Sequence, residues 1–205
     1  MEAYEPEVRA LERASQARPP PAHSVVFYGS SSIRLWTSLV DDFSGVPVVN
    51  RGFGGSTLAA CSWFFWRLVR VLPARSIVLY AGDNDLANGD SPARVLEQLK
   101  HLLRQVDVAF GPLPVGFISI KPSPARWHLV DRIYDFNAGA RRLIGQRQLG
   151  VFVDVVPLMV EEGQPRAELY EPDGLHLSRA GYAVWRDALF RHRVPLFEDG
   201  PPSRY

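Results

Sequence analysis

The sequence predicts an α/β protein, a three-layer α/β/α sandwich built on a five-stranded parallel sheet. Apolar runs rich in β-branched and aromatic residues recur at 25–28, 46–50, 76–80, 115–120 and 151–155, each short enough to be a buried strand. Between them lie segments with apolar residues at helical spacing, and strands alternating with helices imply parallel pairing under helices on both faces. The first three runs also empty into small, polar residues: Gly29-Ser30-Ser31-Ser32, Arg51-Gly52-Phe53-Gly54-Gly55-Ser56-Thr57 and Gly82-Asp83-Asn84-Asp85. Ligands of open α/β sheets bind outside the carboxyl ends of the strands, so these three exits describe one shared crevice.

Taken in order, Tyr4, Val8, Leu11 and Ser15 give a short N-terminal helix that Arg18-Pro19-Pro20-Pro21 ends, so residues 1–24 read as a helix and a proline-rich linker. After strand one, Trp36, Leu39, Val40 and Phe43 share one helix face. The glycine-rich turn after strand two leads to a helix over 58–72, closed by Pro73. Its run Trp63-Phe64-Phe65-Trp66 is too bulky for one narrow stripe and predicts a largely buried helix. The other readings of that run are a subunit contact, as in a homo-oligomer, or an acyl-binding wall. Beyond strand three, Ser91-Pro92 supplies a cap and a first-turn proline for a helix carrying Val95, Leu99, Leu102 and Val106 inward.

Strand four exits into Lys121-Pro122-Ser123-Pro124-Ala125-Arg126-Trp127, and Ile133, Phe136, Ala140, Leu143 and Ile144 mark the next helix. After strand five, an irregular stretch over 157–172 reaches Asp173-Gly174-Leu175-His176-Leu177-Ser178. Ser178 then caps a last helix with Tyr182, Trp185 and Leu189. A single domain over 25–194 follows, with 195–205 as a loosely held tail.

Composition bounds the function. With 205 residues, 46% of them hydrophobic and 22% charged, the chain suits one soluble domain. A net charge of +1 provides no field to draw nucleic acid or an anionic membrane. Cys61 is the sole cysteine, which excludes an internal disulfide and a thiolate metal cluster, and its apolar surroundings predict a buried, unreactive thiol. Neither a metal nor a cofactor is expected. The acidic N-terminus does not resemble a secretory signal and no segment is long and apolar enough to span a bilayer, so a cytoplasmic location is expected.

A serine hydroxyl needs a neighbouring base to become a nucleophile, and histidine suits that task near neutral pH. Of His23, His101, His128, His176 and His192, only His176 closely follows a carboxylate in a turn-rich segment before a helix. One tight turn can bring Asp173 against one imidazole nitrogen while the other faces a serine. Gly29 permits a sharp strand exit, and Ser31 is the chosen hydroxyl, with Ser30 and Ser32 as alternatives. Backbone N–H groups of Ser31 and Gly55, with the Asn84 side chain, could surround a developing oxyanion. Lys121, Arg126 and Trp127, and with them His128, could meet an anionic or sugar-like part of a substrate. Arg34 and Arg51 are either anchors behind the crevice or surface charges.

These blocks, Gly29-Ser30-Ser31-Ser32-Ile33, Asn50 through Thr57, Gly82 through Asp85 and Asp173 through His176, resemble in order and content the four signature blocks of the SGNH (GDSL-type) hydrolases. The resemblance implies a flavodoxin-like fold and a metal-free serine esterase. It places Ser31 as nucleophile, His176 as base, Asp173 as orienting carboxylate, and Ser31, Gly55 and Asn84 as the oxyanion hole. One departure is Ser30, where the family's first block usually carries aspartate. The α/β-hydrolase elbow fits less well, because Ile33 stands where its second glycine belongs.

The function expected is hydrolysis of short-chain acyl or acetyl esters through an acyl-enzyme, with activity rising as the imidazole loses its proton. A lysophospholipase-like or thioester hydrolase is the alternative within the class. Outside it stand a non-catalytic ligand-binding module and an anion binder using the serine-rich helix start.

Overall fold

The computed structural model describes residues 1–198. Its centre is a parallel sheet of five strands, β1 (Ser24–Gly29), β2 (Val48–Gly52), β3 (Ala74–Tyr80), β4 (Val115–Ile118) and β5 (Gly150–Val153). They lie in the order β2-β1-β3-β4-β5, which is the flavodoxin-like arrangement. The chain reverses direction across the sheet after β2, so the exits of β1, β2 and β3 open side by side. That is the switch point at which a crevice forms.

The two-residue alternation of a strand splits the sheet's side chains between two cores. Val26 and Tyr28 of β1, Ile77 and Leu79 of β3 and Phe117 of β4 pack under one helical layer. That layer comprises α1 (Glu5–Ala17), α4 (Leu58–Leu68), α6 (Pro92–Phe110) and α7 (Val130–Gly145). Val25, Phe27, Val78, Tyr80 and Val153 face the other layer, where α9 (Arg179–Phe190) places Trp185 and Leu189 against Trp36 and Phe43. Burying both faces explains why the strands read as continuous apolar runs.

Between these elements, α2 (Ser31–Arg34), α3 (Leu39–Asp42) and α5 (Asp83–Ala87) are short helices just beyond strand exits, and α8 (Val156–Met159) follows β5. A small hairpin of β6 (Val160–Glu161) and β7 (Gln164–Pro165) interrupts the stretch expected to be irregular. Thr57, Ser91 and Ser178 each cap a helix by accepting a backbone N–H three residues on.

Two expectations fail, and a third, the largely buried α4, holds except at two tryptophans. The helix drawn through Trp36 to Phe43 is a single turn, Leu39–Asp42, and Val40 is 68% exposed, because the chain turns at 35–38 before the face can repeat. The α4 aromatics divide: Phe64 and Phe65 are fully buried, but Trp63 and Trp66 are exposed, since four consecutive residues point all round a helix. The loose tail expected from Pro195 is, through Phe197, part of α10 (Arg193–Phe197). There Leu196 and Phe197 are buried against the sheet, Leu196 carbonyl accepts the Ser76 hydroxyl at 2.6 Å, and Gly116 leaves room for the Leu196 methyls. The remainder of that tail, 199–205, lies outside the described residues.

Candidate active site

The Ser31 loop begins with a steric requirement. Gly29 ends β1 at φ 146°, and a Cβ there would lie 1.8 Å from the Tyr80 carbonyl oxygen, so only glycine lets β1 run this close to β3. The same carbonyl accepts Ser30 N–H at 2.9 Å, which turns the chain sharply into α2. Ser30 and Ser32 are buried by that turn, whereas Ser31, the first residue of α2, is only half-buried.

Its hydroxyl meets His176, 145 residues away: Ser31 Oγ lies 3.1 Å from Nε2. The other ring nitrogen, Nδ1, lies 2.6 Å from Asp173 Oδ2. A carboxylate beside Nδ1 holds the ring proton there and leaves Nε2 as the acceptor toward Ser31. Asp173 is fixed in turn, because its Oδ1 accepts the backbone N–H groups of Leu175 and His176, each at 2.9 Å. The side-chain and backbone donors of His176, joined by Leu175 N–H, hold the Asp173 carboxyl down at about 2. Gly174, at φ 64°, closes this turn, and Glu171 N–H donates to the His176 carbonyl at 2.8 Å.

The β2 exit is tied to the Ser31 loop from behind. Asn50 donates to the Ile33 carbonyl at 2.6 Å and accepts Gly52 N–H at 2.9 Å, while Phe53 N–H reaches the Gly29 carbonyl at 3.0 Å. A Cβ on Gly52 would fall 2.2 Å from Arg34 N. The glycine pair beyond is held by the N-terminal helix: Glu7 accepts Gly54 N–H at 2.8 Å, and Tyr4 donates its hydroxyl to the Gly55 carbonyl at 3.2 Å. Gly55 takes a left-handed φ of 66°.

At the β3 exit Gly82, at φ 114°, packs its Cα among Ile120, Phe136 and Val95 and starts α5. Asn84 follows. Its Nδ2 donates to the Ser56 carbonyl at 3.1 Å, and its Oδ1 accepts Arg126 Nη2 at 2.9 Å. Buried Asp85 accepts Leu58 N–H with both oxygens at 3.0 and 3.1 Å, fastening the start of α4 to α5. Burial raises the Asp85 carboxyl to about 6.

The remaining expected site residues fare differently. Lys121 is 1% exposed and cannot meet a substrate; its Nζ lies 3.3 Å from Asp83 Oδ2 and 3.2 Å from Tyr80 Oη. Burial pushes its ammonium pKa down, against the pull of Asp83. Arg126 Nη1 pairs with Asp83 Oδ1 at 2.7 Å. Trp127 is half-buried and His128 exposed on the same short 3₁₀ segment, Pro124–Leu129. Arg51 is buried and bonds Ser15 of α1, and Arg34 lies 3.6 Å from Glu7, so both tie the N-terminal helix down. Cys61 is fully buried, which raises its thiol to about 12. Trp63 and Trp66 line a groove of about 640 Å³ between α4 and α6, which neither Ser31 nor His176 lines. Sequence reasoning missed Asp83, Tyr4 and Glu7, for their partners lie far away in the chain.

A model of the GDSL-like lipase/acylhydrolase family matches residues 21–184, most of the chain and all of the loops just described. The chain belongs to that family. Its solved relatives share the fold at low sequence identity. A Streptococcus pneumonia protein provisionally named a platelet activating factor is 22% identical, with a TM-score of 0.81 over 93% of this chain and 92% of its own. A GDSL-like lipase from Bacteroides thetaiotaomicron is 20% identical, with a TM-score of 0.76 over 90% and 96%. A lipase/acylhydrolase from Enterococcus faecalis is 21% identical, with a TM-score of 0.71 over 83% and 95%. Among curated proteins, none is a significant match. Membership of the GDSL-like family marks the chain as an ester hydrolase in kind. No helix among the described residues is long and apolar enough to cross a membrane.

Proposed function

We propose that this GDSL-like protein is a serine ester hydrolase acting on short-chain acyl or acetyl esters of small molecules through an acyl-enzyme. The observation that carries the reading is the unbroken relay from Asp173 through His176 to Ser31, with contacts of 2.6 and 3.1 Å. A binding module has no use for a hydroxyl aligned on a base that is itself aligned on a carboxylate.

His176 Nε2 takes the Ser31 proton as Oγ attacks the ester carbonyl, forming the tetrahedral oxyanion. Ser31 N–H, Gly55 N–H and the Asn84 amide are the donors assigned to that oxygen, and one such donor is worth roughly a hundred- to a thousandfold in rate. The imidazolium, steadied by Asp173, then protonates the departing alcohol as the tetrahedral species collapses to the acyl-enzyme. Water repeats the sequence, giving its proton to Nε2 and releasing the acid with Ser31 restored.

Hydrolysis of p-nitrophenyl acetate, butyrate and octanoate by the native protein and by Ser31→Ala, with fluorophosphonate labelling in parallel, tests this reading. Turnover fastest on acetate, with turnover and label both lost in Ser31→Ala, is expected. A native protein that neither hydrolyses these esters nor takes the label would sink it. Octanoate as the fastest substrate would move the assignment to a lipid-ester hydrolase.

A further inference from the structure

Arg126 sits beside the crevice but turns its guanidinium to other side chains: one prong to Asp83 Oδ1 at 2.7 Å, the other to Asn84 Oδ1 at 2.9 Å. We propose that Arg126 is a positioning residue that fixes the orientation of the Asn84 side-chain amide and thereby makes it an oxyanion donor. This inference rests on the hydrolase reading above for its kinetic consequence, though not for its structural one.

An asparagine amide has nearly the same shape when flipped, so its neighbours decide which end points where. Here both neighbours agree. Arg126 offers only donors and selects the amide oxygen, while the Ser56 carbonyl offers only an acceptor and selects Nδ2, at 3.1 Å. A flip would set NH₂ against guanidinium and oxygen against carbonyl, losing both bonds. The Nδ2 group has two hydrogens and Ser56 takes one, leaving the other for a ligand. A cation on the amide oxygen also draws electron density from the nitrogen and strengthens it as a donor.

The guanidinium is itself held rigidly. Asp83 is 4% exposed and is shared with Lys121, whose Nζ lies 3.3 Å from Oδ2 and 3.2 Å from Tyr80 Oη. Lys121 and Arg126 thus share one buried carboxylate, which holds the guanidinium in place beside Asn84. Arginine alone fits the role, because its planar fork spans two acceptors with one side chain; an ammonium at this reach holds one or the other.

The test uses p-nitrophenyl acetate, a neutral substrate that Arg126 cannot bind through charge. Arg126→Met is expected to lower kcat roughly ten- to a hundredfold with KM changed less than about twofold. Arg126→Lys is expected to recover part of the loss. In the Asn84→Ala background, Arg126→Met should cost less than about twofold more, since its route to the oxyanion is already gone. The variant should remain folded because Lys121 still neutralises Asp83, and circular dichroism with thermal melting checks this. Losses that multiply, or a raised KM at constant kcat, would overturn the proposal in favour of direct substrate contact. A readout independent of turnover is the Asn84 side-chain ¹⁵N–¹H pair, assigned by its absence in Asn84→Ala. It should shift and broaden in Arg126→Met, and an unchanged pair overturns the proposal even if the kinetics move. If the native protein is inert toward esters and fluorophosphonate, the hydrolase reading fails, and this amide signal alone decides whether Arg126 holds Asn84.

Discussion

Glu7 in the N-terminal helix accepts the backbone N–H of Gly54, 47 residues further along, at 2.8 Å. Gly54 adjoins Gly55, which the proposed mechanism assigns to the oxyanion, so under that mechanism the helix braces an oxyanion donor. Glu7→Ala should cost about 1 kcal/mol of stability by leaving that N–H without its acceptor. It should also lower kcat for p-nitrophenyl acetate by about tenfold with less effect on KM, as a loss felt only in the transition state does. Glu7→Gln, which keeps an acceptor oxygen, should recover most of the loss. Denaturation and steady-state kinetics on the three proteins decide it, and equal kcat values would detach the helix from catalysis.

The Asp173 carboxyl, held at about 2 by donors from His176 and Leu175, stays ionised throughout the mildly acidic and neutral range. A depressed carboxylate stabilises the fold above its ordinary range and loses that contribution as pH falls toward 2; the half-exposed side chain keeps it small. For activity, the consequence is a one-proton acid limb. A plot of log kcat/KM from about pH 4 to 8 should rise with a slope of one before levelling. A slope of two would mean that the Asp173 carboxylate takes up a proton within this range.

Asp85 has the opposite sign. Burial raises its carboxyl to about 6, so the folded protein binds a proton that the unfolded chain has already released. Stability from this group is present below the ordinary carboxylate value and is lost as pH rises through about 6. Asp85→Asn retains an oxygen for Leu58 N–H and removes the charge. Urea denaturation across this range should show a flatter pH dependence for the variant, with a difference on the order of 2 kcal/mol developing toward neutral pH. Parallel curves would contradict the assignment.

Gly29→Ala asks for a methyl group 1.8 Å from the Tyr80 carbonyl oxygen, at a φ that side chains rarely adopt. Either β1 and β3 separate or the Ser31 loop is rebuilt. A loss of more than about 3 kcal/mol, or no folded protein at all, is the expected outcome of thermal melting. A melting temperature near the native value would show that the β1 exit yields more easily than its geometry implies.

The central sheet was legible because its strands are covered on both faces, which gives each an apolar run ending in small residues. The Ser31, Asp173 and His176 constellation was legible for a related reason: the local sequence builds each loop, as Asp173 and His176 share one turn. What escaped was set by contacts between distant segments. Lys121, Arg126 and Trp127 looked alike as polar or aromatic residues after a strand, yet the first is buried on Asp83 and the second is aimed at Asn84. No local pattern separates a lysine bound for the interior from one bound for solvent. Trp63 and Trp66 escaped for the converse reason, since hydrophobicity gives no account of what lies outside a helix. The α10 turn was hidden behind Pro195, because nothing nearby announces that Leu196 and Phe197 fit beside Gly116 and Phe27.

The separation of Ser31 from His176 by 145 residues also sets an order of events at the ribosome. At about 5–20 residues per second, the serine leaves the exit tunnel on the order of ten seconds before His176 is even joined to the chain. The segment that seals the sheet, Arg193–Phe197, follows later still. A nascent chain therefore carries the Ser31 hydroxyl and both glycine-rich exits before His176 can stand beside them. The contact between Ser31 and His176 arrives with the turn at 173–176, once most of the scaffold that aims it has already been made.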